Sequence, residues 1–342
     1  MDAKKGNIFE ILNGYRQFII PVYQRTYSWE ISHCEKLWKD IVNMQKGKRN
    51  SHFVGSIVNV AEQVMPTGVQ KFMIIDGQQR MTTLTLLLIA LRNYAIEHSE
   101  DTTINAPMIT DMCLKNTYQQ GDDRYKLLLT QSDRQTLLQL IEGIQTDETS
   151  SRRLVNNCNY FAEKIKGQEI SPKDIYEAIG KLQIVNITLD RAVDDPQLIF
   201  ESLNSTGMDL SQSDLIRNYI LMGLETDEQA HIYETIWYPM EKLFGYEKQS
   251  DSMDKFFRDY LTYKNGRIPN LNKIYDEFKA YHVNCGFSSI AEFCKDIFDN
   301  AVCYTNMAFA KSGQVCLDKV FNEIKGLQME VVYPFLLKTT LR

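Results

Sequence analysis

The sequence lacks the short motifs by which most nucleotide and hydrolase sites are recognised. No two of its 17 glycines lie closer than eight residues apart, which excludes the GxGxxG turn of dinucleotide-binding folds. The patterns GxxxxGK[ST], HExxH and GxSxG are absent as well. Any nucleotide site in this chain must therefore use a different phosphate-binding turn.

Paired cysteines and long apolar runs are also missing. The seven cysteines are odd in number and none forms CxxC, so we expect reduced thiols in a cytoplasmic protein, without a cysteine metal site. The most apolar run, LTLLLIAL at 84–91, is far shorter than the ~20 residues of a membrane span, and we expect no membrane association.

The charge balance is mildly acidic but uneven. The 342 residues carry 44 acidic and 38 basic side chains, a formal net charge of −6, which excludes strong nonspecific attraction to nucleic acid or to an anionic membrane. Residues 1–100 hold 12 Lys/Arg and 9 Asp/Glu, so the acidic excess lies in the remainder. The N-terminal part is therefore the part that could face an anionic ligand.

The hydrophobic patterns predict an α+β region followed by a mainly helical one. Residues 52–63 and 69–75 are rich in β-branched side chains and flank a Pro66–Gly68 turn, which predicts a β-hairpin. We place two domains at 1–225, with a helical insertion at about 97–180, and at 226–342. The patterns also predict a helix at 32–45, with a capping box from Ser32 to Glu35, and a buried helix that starts close to Arg80–Thr83 and ends at Ile96. The elements predicted further along the chain are a helix capped by the polar break Thr130–Asp133, a strand at 184–190, a helix at 197–203 and a helix from Ser211 to Leu221.

The strongest local signal for chemistry is IIDGQQRMTTLTLLLIAL at 74–91. A strand, an Asp-Gly turn and a buried helix follow one another, so backbone N–H groups and the positive end of the helix dipole point at one spot. That arrangement suits a phosphate site, but a plain helix cap explains the same residues and is the commoner structure. The candidate residues are Asp76, Gly77, Gln78, Gln79, Arg80, Thr82 and Thr83.

A second candidate segment is IPVYQRTYSWE at 20–30. Gln24 and Arg25 lie among Tyr23, Tyr27 and Trp29, a mixture that suits a base stacked on a ring with the arginine on a phosphate. An arginine stacked on a surface ring without a ligand remains the alternative.

Two further segments carry polar side chains. FESLNSTGMDLSQSDLIRNYIL at 200–221 offers the turn residues Asn204, Thr206 and Gly207, or else a structural connection between two capped helices. KGKRN at 46–50 is the densest basic stretch, and its Lys46, Lys48 and Arg49 are candidates for contact with DNA phosphates or are simply solvated.

Five segments in this order resemble the N-terminal domain of the GmrSD family of type IV restriction enzymes: IPVYQRTYSW, HFVGSIV, IIDGQQRMTTL, YKLLLTQSDRQTL and FESLNSTGMDLSQSDLIRNYI. The resemblance covers roughly residues 8–222. It implies a ParB/sulfiredoxin-like fold, with a small mixed sheet and helices, here followed by a mainly α-helical extension.

The resemblance also implies nucleoside-triphosphate binding and hydrolysis at the DGQQR turn, residues 76–80. It matches Gln24 and Arg25 to the family's QR pair. It matches Asn204, Thr206 and Gly207 to an asparagine–glycine turn that closes over the same pocket.

The leading hypothesis is a cytoplasmic, Mg²⁺-dependent NTPase domain of a phage-defence system. Arg80 and the N–H groups after Gly77 would hold phosphates, with Arg25 completing the charge. Asp76 would bind Mg²⁺ or position water, and Gln78 or Gln79 would orient the attacking water.

The resemblance stops short of the family's nuclease. After residue 222 only His231 and His282 remain, without a recognisable ββα unit, so we expect the HNH-type nuclease domain outside this chain. Two alternatives stay open: a module that senses a nucleotide or modified duplex DNA without hydrolysis, and an interaction scaffold that could form a homodimer through its aromatic-rich helices after residue 225.

Overall fold

The computed structural model describes residues 1–47, 49–62, 68–100, 103–190, 193–204, 210–245 and 249–340. The chain forms two compact units, Met1–Leu203 and Asn204–Arg342. The domain boundary near residue 225 stays a prediction.

A six-stranded mixed sheet forms the frame of the first unit. The strands lie in the order β1-β6-β3-β4-β2-β5. The pairs β1–β6 and β3–β4 are antiparallel, and the pairs β3–β6, β2–β4 and β2–β5 are parallel. The strands are β1 (Asp2–Gly6), β2 (Arg16–Ile19), β3 (His52–Ala61), β4 (Gln70–Asp76), β5 (Leu127–Leu128) and β6 (Leu182–Leu189).

The pairing of β3 with β4 confirms the predicted hairpin, and β6 confirms the predicted strand at 184–190. Residues 63–67, which include Pro66 of the predicted turn, lie outside the described residues. The α+β class is confirmed, whereas the ParB/sulfiredoxin-like arrangement stays a prediction.

The helices up to residue 204 are α1 (Ile8–Leu12), α2 (Ile31–Lys46), α3 (Gln78–Glu97), α4 (Ala106–Ile109), α5 (Gln131–Glu142), α6 (Arg152–Lys166), α7 (Pro172–Lys181) and α8 (Pro196–Asn204). A π-helical turn follows α4 at Thr110–Leu114, and a 3-10 turn lies at Gly121–Arg124. Within the described residues, no helix is both long enough and apolar enough to cross a membrane.

Helix α3 is the centre of the first unit. Sixteen of its 20 residues are buried, which is the pattern of a helix surrounded by core on all sides. It begins at Gln78, two residues before the predicted start near Arg80. The reason is Gly77, whose left-handed backbone ends the β4 strand and serves as the N-cap.

Two local predictions were wrong. Helix α2 begins at Ile31, one residue before Ser32, and the ring Nδ1 of His33 accepts the main-chain N–H of Glu30 at 3.1 Å. Glu30 is extended, so the chain turns into the helix before Ser32 could act as the cap. Residues 127–128, in a segment that reads as mostly helical, instead pair with β2 as a strand.

The second unit is helical around an aromatic core, with Trp237, Phe256, Phe257 and Phe278 almost fully buried. Its helices are α9 (Gln212–Met222), α10 (Thr226–Ile232), α11 (Tyr238–Phe244), α12 (Gln249–Asn265), α13 (Ile274–Asn284), α14 (Ile290–Ala308), α15 (Val315–Gly326) and α16 (Tyr333–Thr340). A π-helical turn lies at Tyr233–Trp237, and 3-10 turns lie at Leu271–Lys273 and Glu330–Val332.

The N-terminus of α9 confirms the predicted Ser211 cap, since the Ser211 hydroxyl accepts the N–H of Asp214 at 3.1 Å. The Asp254 carboxylate accepts two more N–H groups, from Gln212 at 3.1 Å and from Ser213 at 2.7 Å. A carboxylate at this end of a helix also satisfies the helix dipole.

Asp259 in α12 is expected to make the stability of the second unit depend on pH. Burial raises the pKa of its carboxyl group to about 7, although the positive charge of the nearby Arg258 lowers it. A carboxyl group with a raised pKa in the folded chain stabilises the fold below pH ~4, and this contribution is lost as the pH rises through the folded pKa. We therefore expect Asp259→Asn to raise the free energy of unfolding at pH ~8 by about 1–3 kcal/mol, with allowance for partial exposure.

Urea denaturation of wild type and Asp259→Asn at pH ~5 and pH ~8 measures this effect. The gain of the variant should shrink at the lower pH. An equal difference at both pH values would show that Asp259 ionises normally in the folded chain.

Candidate functional site

The Asp76–Gly77 turn joins β4 to α3 in a space that admits only glycine. Gly77 has φ +89°, and a Cβ there would lie 2.7 Å from the main-chain oxygen of Ser56 and 3.1 Å from the Cα of Ile57. Both the backbone conformation and the close approach of β3 therefore require glycine. The first turn of α3 is fixed against the sheet as a result.

Gln24 connects the second candidate segment to this turn. It is 4% exposed, and its side-chain Nε2 donates to the main-chain oxygen of Ile75 at 2.9 Å. This contact joins segment 20–30 to the end of β4, directly before Asp76. The structure thus brings two of the three sequence motifs together.

Gln79 makes the reciprocal contact. Its Oε1 accepts the main-chain N–H of Ser28 at 2.8 Å and of Trp29 at 3.2 Å, and its Nε2 donates to the main-chain oxygen of Thr26 at 3.2 Å. Both ends of the amide are thus engaged by the backbone of residues 26–29. In this arrangement Gln79 holds the loop that carries Arg25, while a direct role with water stays a prediction.

A small cleft of about 10 Å³, room for about one water molecule, lies between these segments, beside the first turn of α3. It is far smaller than the ~300–1,000 Å³ of typical ligand pockets, so only a water molecule fits inside it and a larger group would bind at its mouth. Its lining residues are Ile20, Arg25, Tyr27, Gln78, Gln79, Thr82, Leu129, Thr130 and Asp133.

Gln78 contributes a buried acceptor to the lining of the cleft. It is 7% exposed, and its side-chain Oε1 has no hydrogen-bond partner among the described residues. A buried acceptor without a donor costs about 1–3 kcal/mol, so this oxygen favours a bound water or another donor in the cleft. Arg25 supplies a positive charge to the same cleft.

The two threonines of the motif use their hydroxyls within the helix. Thr82 donates to the main-chain oxygen of Gln78, and Thr83 donates to that of Gln79, both at 2.8 Å. The Thr83 hydroxyl also lies 2.7 Å from the hydroxyl of Tyr27, whose pKa is raised by burial. Thr82 lines the cleft, whereas Thr83 anchors Tyr27.

Arg80 lies on another side of α3, against β3, and is not among the residues that line the cleft. Its guanidinium donates to the main-chain oxygen of Ser56 and covers Gly55, where a Cβ would lie 2.6 Å from the guanidinium carbon. Burial lowers the pKa of Arg80, and the charge of Asp76 opposes that effect. A bound anion would stabilise the positive charge of such a desolvated arginine.

Asp133 is a cleft residue that the motif analysis missed as a functional candidate. It is 3% exposed, and its carboxylate accepts the main-chain N–H of Tyr27 at 2.6 Å. Burial raises the pKa of Asp133. The hydrogen bonds from Ser151 and Tyr27 and the charge of Arg153 lower it, but by less. The signal in the sequence is an aspartate within the segment YKLLLTQSDRQTL, where the polar break predicts only a helix cap.

The donor set fits a magnesium ion only as a companion of phosphates. Among the described residues, no group of three or more His, Cys, Asp or Glu side chains could hold a metal ion. Mg²⁺ in phosphate sites is usually held by one or two carboxylates, with waters and the phosphates as the other ligands, and Asp76 could serve in this way. The Mg²⁺ assignment stays a prediction.

The third motif is only partly described. Asn204 is the last residue of α8 and belongs to the second unit, whereas Thr206 and Gly207 lie outside the described residues. The predicted closure of this turn over the pocket therefore stays a prediction.

The structure describes the basic stretch at 46–50 only in part. Lys46 forms an ion pair with Glu169 at 2.9 Å, Arg49 is exposed, and Lys48 lies outside the described residues. DNA contact stays a prediction.

The fold and the cleft together define an α+β domain whose Asp-Gly turn lies at the start of a buried helix. A family model for the N-terminal domain of GmrSD restriction endonuclease matches residues 8–221. The chain belongs to this family, which indicates a component of a restriction system. A comparison with curated proteins found no match.

Proposed function

We propose that this chain binds a nucleoside triphosphate with Mg²⁺ at the cleft beside Gln78 and hydrolyses it. The domain would act in the cytoplasm as part of a type IV restriction system for phage defence. Hydrolysis would control an HNH-type nuclease domain outside this chain. Family membership supports the restriction context.

The observation that carries the proposal is the combination of groups at one cleft. The buried Oε1 of Gln78 has no hydrogen-bond donor among the described residues, and Arg25 supplies positive charge to the same cleft. Gln78 is also the first residue of the 20-residue helix α3, so the helix N-terminus lies at the cleft. Phosphoryl transfer depends mainly on positioning and on stabilising the charge of the transferred group. An arginine and a helix N-terminus provide that charge, and a glutamine oxygen can orient water.

Four other candidate residues would have supporting roles in this proposal. Asp76 would hold Mg²⁺, which neutralises charge on the phosphates when it is bound. Arg80 would offer a second cation from the β3 side of the same helix turn. Gln24 and Gln79 would hold the loop that carries Arg25.

The cleft is small, which limits what it can hold. It has room for about one water molecule, so the terminal phosphates would bind at its mouth and the nucleoside would lie outside the described cleft. The resemblance implies a nucleotide role for Asn204, Thr206 and Gly207, and that role stays a prediction.

Arg25→Ala is expected to lower phosphate release by about 100-fold, because it removes a preorganised charge at the transferred group. The assay incubates the purified chain with Mg²⁺ and each common NTP in turn. Arg134→Ala is the matched control, because Arg134 lies one residue from Asp133, is exposed and forms its ion pair with Asp122. The control should retain wild-type turnover.

Absence of turnover in the wild type with every NTP would refute the hydrolysis claim. Thermal stabilisation by a non-hydrolysable nucleotide in that case would indicate the sensing module instead. If the chain shows neither turnover nor thermal stabilisation by a nucleotide, the interaction scaffold is the remaining hypothesis.

A further inference from the structure

The cleft contains two buried oxygen acceptors that come from distant parts of the sequence. Gln78 belongs to the first turn of α3, and Asp133 belongs to the first turn of α5, yet both line one cleft. The two residues are 7% and 3% exposed. A water molecule with one hydrogen bond to each acceptor would have its remaining lone pairs available for attack.

The two acceptors still have capacity for such a water. The Oε1 of Gln78 has no partner among the described residues. The Asp133 carboxylate accepts the N–H of Tyr27 through Oδ2 and a hydrogen bond from Ser151, which leaves about two of its roughly four lone-pair positions. Asp76, the carboxylate of the DGQQR motif, is not among the residues that line the cleft.

We propose that Asp133 is the general base for the water that attacks the nucleotide, with Gln78 holding the same water. This inference rests on the proposed NTP hydrolysis. The water oxygen forms a bond to the γ-phosphorus, while the bond from that phosphorus to the bridging oxygen breaks. The bridging oxygen keeps the electron pair and leaves with the nucleoside diphosphate, and the water proton passes to the Asp133 carboxylate.

The surroundings of Asp133 favour this role. Burial raises its pKa, which makes the carboxylate a stronger base than a solvated aspartate. Of the charged groups, Arg25 lines the same cleft, and the charge of Arg153 from α6 acts on Asp133. Tyr27 reaches the carboxylate through its main-chain N–H, while its titratable hydroxyl lies against Thr83. The hydrogen bond with Tyr27 fixes the orientation of the carboxylate.

Asp133→Asn tests the proposal, because asparagine keeps an oxygen that can accept the Tyr27 N–H but cannot take a proton from water. We expect kcat to fall about 100-fold, while KM and the affinity for a non-hydrolysable NTP stay near the wild-type values. The acidic limb of the wild-type pH–kcat profile should also disappear. Glu142→Gln, at the other end of α5, is the control and should leave turnover unchanged.

Three results separate the possible failures. If the wild type hydrolyses NTP and Asp133→Asn does so at the same rate, the assignment of the base is wrong and the proposed function stands. If Asp133→Asn loses nucleotide affinity by the same factor as turnover, Asp133 is a positioning residue only. If the wild type hydrolyses no NTP, the proposed function itself fails.

Gln78→Leu provides a second test in case Asp133→Asn does not fold. This variant removes the buried oxygen at similar size and should lower kcat while leaving the Asp133–Tyr27 hydrogen bond intact. Wild-type turnover in Gln78→Leu would overturn the shared water site.

Discussion

Gly77→Ala is expected to lower the free energy of unfolding of the first unit by about 3 kcal/mol or more. The left-handed backbone alone costs a non-glycine residue about 1–2 kcal/mol. The added Cβ would also meet the main-chain oxygen of Ser56 at 2.7 Å, which overpacks the junction of β3 and α3. Because both neighbours are backbone or core, the clash cannot be relieved by a side-chain rotation.

Gly143→Ala is the matched control for this prediction. Gly143 ends α5 with φ +71°, but nothing lies within 4 Å of the position of its Cβ. Gly143→Ala should therefore lower the free energy of unfolding only by the cost of the left-handed backbone, about 1–2 kcal/mol. Urea denaturation with hydrogen exchange of β3 and α3 measures the difference, and equal losses in the two variants would contradict the proposed close approach.

Arg217→Ala is expected to destabilise the second unit by about 3–5 kcal/mol, because it leaves two carboxylates partly buried without their cation. Arg217 is 7% exposed and lies 2.7 Å from both Asp214 and Glu241. Burial alone would lower the pKa of its guanidinium, but Glu241 and Asp214 raise it. The indole of Trp237 donates to Glu241 at 2.9 Å, so the network reaches the aromatic core.

Arg267→Ala provides the comparison within the same unit. Arg267 pairs with Glu277, but its side chain is 71% exposed, and such surface pairs contribute at most about 1 kcal/mol. Denaturation of both variants, with the exchange of α9 and α11 measured separately, gives the two losses. A small loss for Arg217→Ala would show that water compensates the two carboxylates.

The local parts of the candidate site could be predicted from the sequence. A strand, an Asp-Gly turn and a buried helix are adjacent along the chain, so their order alone located residues 74–91. The prediction of the helix start failed by two residues because threonine is a common cap, whereas here Gly77 takes that role.

The contacts that build the cleft could not be predicted in the same way. Gln79 reaches the backbone of Ser28 across 51 residues, and Asp133 reaches Tyr27 across 106 residues. Such contacts depend on how the sheet and α5 are placed around α3, and no local pattern encodes that placement. Arg80 likewise looked like a partner of Arg25, but it lies against β3 because Gly55 leaves room for its guanidinium.

A crystal structure of the chain with Mg²⁺ and a non-hydrolysable NTP analogue tests the central claim most directly. We expect the terminal phosphoryl group within hydrogen-bond distance of Arg25, and a water molecule bonded to the Oε1 of Gln78. A nucleotide bound elsewhere, or a cleft that stays empty at saturating analogue, would contradict the assignment of this cleft as the nucleotide site.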